Sequence, residues 1–91
     1  DEYTWELIDG TRNNMPAIEE ALSKLSTNWR WERMPVVDRT ILALASYEIL
    51  FRTDIPRTVS INEAIELAKK YGEVDSPSFI NGLLDKLPKT S

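Results

Sequence analysis

The sequence predicts an all-α fold, a compact bundle of four to five helices, on three observations. Apolar residues recur at steps of three and four along most of the chain, a spacing that lines one face of a helix. No segment alternates apolar and polar residues for long enough to compete as a strand. Helix entry and exit signals, Asn or Ser close before a proline and Gly after a periodic run, fall between the periodic stretches.

From Glu2 to about Thr11, the residues Tyr3, Trp5, Leu7 and Ile8 mark an amphipathic helical end with few apolar partners nearby in sequence. Large apolar residues begin at once, with neither a cap nor a leader before Asp1, so residues 1–91 are read as one helical domain that is a fragment or shortened form of a longer protein. Asn14 before Met15 and Pro16 reads as the next helix entry. Ile18, Ala21, Leu22, Leu25 and Trp29 then follow as a single buried stripe, with a break between the two helices over Gly10 to Asn14.

Trp29, Trp31 and Pro35 punctuate the next connection. After it, VDRTILALASYEILF from Val37 to Phe51 is the most apolar stretch and reads as the central helix, because Ile41, Leu42, Leu44, Ala45, Ile49 and Leu50 cover more than one side. Asp38 and Arg52 suit the two ends of its dipole, and Glu48 with Arg52 has the spacing of an ion pair. Tyr47 and Glu48 are expected to hydrogen-bond to a neighbouring helix. The stretch from Thr53 to Thr58, which holds Pro56, reads as a loop. Ser60 with Glu63 has the capping-box form, which starts a helix at Ile61. Ile61, Ala64, Ile65, Ala68 and Tyr71 form its packing face, and Glu63, Glu66, Lys69, Lys70 and Glu73 its wet one. Gly72 is expected to end that helix in a left-handed conformation. Ser76 and Pro77 open the last helix, which buries Ile80, Leu83, Leu84 and Leu87, and Gly82 within it suggests a close backbone crossing.

Composition excludes several functions. With no cysteine and no histidine among 91 residues, disulfides, thiol nucleophiles, imidazole bases and the common zinc sets are unavailable, which leaves carboxylates as the only plausible metal ligands; no metal or other cofactor is expected. The pairs Glu19–Glu20 and Glu63–Glu66 have no nucleophile or base beside them, which argues against an enzyme. Without a leader or a membrane-spanning run, the expected compartment is the cytoplasm and no membrane partner is expected. Fifteen acidic and eleven basic residues give a charge of -4, so nucleic-acid binding needs a local basic patch or a partner's help.

The order VDRTILALASYEILFRTDIP, then SINEAIELAKKYG, then FINGLLDKL resembles the C-terminal half of NusB transcription antitermination factors. The likeness extends back through NWRWERM to the glycine of LIDG and covers nearly the whole chain, with its start inside the family's third helix. It implies an all-helical NusB-like fold lacking the family's first two helices, and a non-enzymatic protein. The resemblance also implies partners: the small ribosomal protein NusE, and boxA-type RNA in the full-length form. The family's arginine-rich first helix has no counterpart here, and Ala43 stands where relatives often carry a basic residue, so RNA binding by this chain alone is expected to be weak. Two alternatives are an RNA-binding module attached to an rRNA cytosine methyltransferase, and a structural interaction module without RNA.

By the same resemblance, Asp38 takes the acidic position that faces the ribosomal partner. Asp75 and Phe79 take positions near the RNA, Phe79 as a stacking ring and Asp75 as a repulsive charge. From the residues alone, Asp38 is more simply a first-turn acid and Phe79 a core anchor. Arg30, Arg33 and Arg39 beside Trp29 and Trp31 form the densest cationic and aromatic cluster, which makes Arg39 a further RNA candidate, against a structural reading in which the cluster caps the bundle. Lys69 and Lys70 read as a solvated face. The apolar side of Tyr3, Trp5 and Ile8 is expected to be covered by self-association or by an N-terminal segment supplied on another chain.

Overall fold

In the computed structural model, which describes residues 1–89, the most apolar stretch becomes the helix around which the others pack. The helices are α1 (Glu2–Asn13), α2 (Met15–Ser23), α3 (Val36–Phe51), α4 (Arg57–Tyr71) and α5 (Ser76–Leu84), with a 3₁₀ turn over Trp31–Arg33. No strand forms among the described residues. α3 touches all four other helices, and α4 packs along α5. The core joins Ile18 and Leu22 of α2 to Leu42 and Ile49 of α3, Ala68 of α4, Ile80 and Leu84 of α5, and Leu87 just beyond it. Burying one such leucine or isoleucine contributes about 1.5–3 kcal/mol. α1 adds only Thr11 to the buried set, and Trp5 stays 66% exposed, as expected for a helix with few local apolar partners.

Local chemistry explains the ends. Asp1 caps α1 by accepting from the Thr4 N–H at 2.8 Å. Asn14 separates α1 from α2, but its side-chain amide donates back to the Gly10 carbonyl at 2.7 Å and so closes α1 instead of capping α2. α2 stops at Ser23, short of the predicted stripe to Trp29. Ser26, Thr27 and Asn28 offer the backbone local alternatives, among them Asn28 N–H to Ser26 Oγ at 3.3 Å. Leu25 and Trp29 reach the core from this loop.

Three further expectations are corrected. α4 begins at Arg57, not Ile61: the Pro56 carbonyl accepts from the N–H groups of Val59 and Ser60 at 3.1 and 3.3 Å. Ser60 is therefore inside the helix, buried, with its hydroxyl unpartnered. Arg52 pairs not with Glu48 but in bidentate fashion with Asp54 at 3.0 and 2.9 Å. Glu48 is buried and accepts from the Tyr3 hydroxyl of α1, the hydrogen bond to a neighbouring helix that the sequence suggests. Tyr71 lies 65% exposed instead of packed.

The glycines also differ from expectation. Gly72 has φ -93° and is extended, not left-handed. It is needed because a Cβ there would sit 2.7 Å from Ser76 Cβ and 2.9 Å from the Ala68 carbonyl oxygen. Gly82 has nothing within 4 Å of such a Cβ, so no close crossing occurs there. The close crossing is at Gly10, where a Cβ would meet the Tyr47 ring at 2.2–2.6 Å.

Candidate protein and RNA interface

Pro35 holds an extended conformation and hands the chain to α3, which places Asp38 in the first turn, where a carboxylate is favoured. Asp38 is only 6% exposed. Its Oδ1 accepts from the Ser76 hydroxyl at 2.8 Å, across 38 residues of sequence, and Ser76 Oγ in turn accepts from the Glu73 N–H at 2.9 Å. One hydroxyl therefore fastens the α4–α5 turn to the start of α3. Gly72 makes this approach possible, since a side chain there would collide with Ser76.

The junction frames an open depression of about 510 Å³ lined by Met34, Pro35, Asp38, Glu73, Asp75, Ser78 and Phe79. Asp75 occupies the cap position of α5, and its carbonyl accepts from the Phe79 N–H at 3.1 Å. Phe79 is 41% exposed, so it is not a core anchor; its ring borders the depression. The arrangement offers an apolar wall, an aromatic edge and three acidic side chains, suited to basic or aromatic groups of a partner. Among the described residues, no three acidic side chains stand close enough together to hold a metal ion.

Asp38, Asp75 and Phe79 thus meet at one place, and Arg39 does not join them. Arg39 lines a second groove of about 630 Å³ between α1 and α3, with Ile8, Arg12, Met15, Trp31 and Leu44 among its neighbours. Its Nε is buried without a hydrogen-bond partner. Sequence reasoning missed Ser76 as a tie and Arg12 as a groove residue. Ser76 read as a local cap, and its true partner lies in another helix; nothing in the sequence signals Arg12.

Near the C-terminal end of α3, the Tyr3 hydroxyl is pushed well above its usual range, first by burial and then by the Glu48 carboxylate that it donates to. The Arg52 guanidinium lies 5.4 Å from the centroid of the same ring. The Asp54 carboxyl is held below its ordinary value mainly by its hydrogen bonds to Arg52.

An α3-centred bundle of helices with a shallow apolar and acidic face defines the class: an all-α helical-bundle protein. The model of the NusB family matches residues 1–89, and the chain belongs to that family. It is 58% identical over 85 residues to the transcription antitermination protein NusB of Desulfitobacterium hafniense, covering 93% of this chain and 57% of the relative. Against the NusB of Desulfovibrio desulfuricans it is 47% identical over 87 residues, 96% of this chain and 53% of that one. The solved structure of T. maritima NusB superposes with a TM-score of 0.88 at 45% identity, over 93% of this chain and 60% of that chain. The chain therefore spans between about half and three fifths of the length of these relatives.

Proposed function

We propose that residues 1–91 act as one NusB-like helical unit, the partner-binding and RNA-positioning part of a non-enzymatic transcription antitermination factor working in the cytoplasm. It docks the ribosomal protein NusE and, together with it, boxA-type RNA. The observation that carries this reading is the convergence of Asp38, Asp75 and Phe79 on one depression. The relatives' name, transcription antitermination protein NusB, supports it over a methyltransferase module. Among the described residues no helix is long and apolar enough to cross a membrane.

In this reading Phe79 stacks on a base, Asp38 orders the α4–α5 turn and meets the protein partner, and Asp75 restrains RNA affinity through charge repulsion. The test is a fluorescence titration of boxA RNA with the chain, with and without NusE, across salt. Binding should be weak alone and stronger with NusE. Phe79→Ala should weaken the ternary complex about ten-fold, since stacking on one base is worth roughly 1–3 kcal/mol, and Asp75→Asn should tighten it. Tight, salt-sensitive binding without NusE contradicts the reading, as does an unaltered Phe79→Ala. The apolar side of Tyr3, Trp5 and Ile8, on which Tyr3 and Trp5 are exposed, is read as covered by self-association or by an N-terminal segment on another chain. A clean monomer in sedimentation at high concentration counts against self-association.

A further inference from the structure

Resting on the RNA-binding reading above, we infer that the loop between α2 and α3 supplies the phosphate-binding part of the RNA surface through Arg30 and Arg33. The Phe79 depression can stack a base but cannot neutralise a backbone, because Asp38, Glu73 and Asp75 line it. A single strand needs cations close to its stacking ring. The chain as a whole carries -4, yet from Lys24 to Arg39 four basic residues face two acidic ones.

Arg30 and Arg33 are both exposed, and among the described residues the ion pairs involve Lys24, Arg52 and Lys69, not these two. Their spacing is held by the 3₁₀ turn, in which the Arg33 N–H donates to the Arg30 carbonyl at 3.1 Å. The indoles of Trp29 and Trp31 stack at 5.8 Å and 24° and pack against the core. The rings therefore anchor the loop, and the guanidiniums beside them remain available as forked donors to phosphate oxygens. Met34 and Pro35 follow directly and line the Phe79 depression. The cationic loop thus leads directly, through two residues next to Arg33, into the lining of the depression that Phe79 borders.

The test measures boxA RNA affinity in the presence of NusE across salt for the parent chain, Arg30→Gln/Arg33→Gln, and Lys69→Gln/Lys70→Gln as an equal charge change at two exposed positions of α4. The arginine pair should weaken binding roughly ten-fold at low salt and flatten the slope of log K against log salt by about 1.4, two single-strand phosphate contacts at about 0.7 each. The lysine pair should leave the slope unchanged, and NusE affinity without RNA should be the same for all three. An unchanged slope for the arginine pair overturns the inference, as does an equal loss for the lysine pair. Weakened NusE affinity overturns it too, by assigning the arginines to the protein partner. Failure of the parent chain to bind RNA with NusE present overturns the functional reading itself, and this inference with it.

Discussion

At the scale of residues, the three glycines differ in what surrounds them, and substitution separates their roles. Gly82→Ala, at an exposed position of α5, meets nothing and should stabilise by roughly 0.5–1 kcal/mol through helix propensity, measured by urea denaturation. Gly10→Ala gains the same propensity but displaces the Tyr47 ring, which stacks on Phe51 at 5.8 Å. It should therefore destabilise the parent chain and stabilise a Tyr47→Leu background. Equal effects in both backgrounds would deny the contact. Ser76→Ala leaves the Asp38 carboxylate and the Glu73 N–H without their shared partner. An unmade buried hydrogen bond costs about 1–3 kcal/mol, so the melting temperature should drop by several degrees. Tyr3 carries a pH signature: its hydroxyl keeps its proton more tightly in the folded chain, so the stability it contributes is intact below its usual value of about 10 and drains away as pH rises above that. Tyr3→Phe should fall less steeply in stability above pH 10.

At the scale of elements, all five helices are legible in the sequence, because the three- and four-residue spacing of apolar residues is a property of each segment alone. Their ends are less so. Ser60 and Glu63 have the form of a capping box, yet Pro56 already offers its carbonyl to the N–H groups of Val59 and Ser60, and α4 starts a turn earlier. Ser60→Ala decides the point by thermal melting. A cap lost to alanine costs about 1 kcal/mol, whereas removing a buried, unpartnered hydroxyl should leave stability unchanged or raise it. The Arg52 misreading has a similar origin, since spacing on a helix surface names eligible partners and cannot show that Glu48 is turned inward to Tyr3.

At the scale of the molecule, the candidate site was only partly legible. Asp38, Asp75 and Phe79 are picked out by resemblance to a family, and nothing local in the sequence brings them together. They meet because α3 is the hub, because Gly72 lets the following turn approach, and because one serine hydroxyl bridges 38 residues to Asp38. Arg39, the immediate neighbour of Asp38, lines the groove between α1 and α3 instead, a reminder that one step along a helix turns a side chain by about a quarter-circle or more. The packed α3, α4 and α5 hold these residues on one face, which the proposed function takes as the docking face. Amide hydrogen exchange of the chain with and without NusE tests that claim most directly. The account predicts new protection confined to the start of α3 and to residues 73–79, and protection gathered instead on Leu67 and Tyr71 of α4, with this face unaltered, would contradict it.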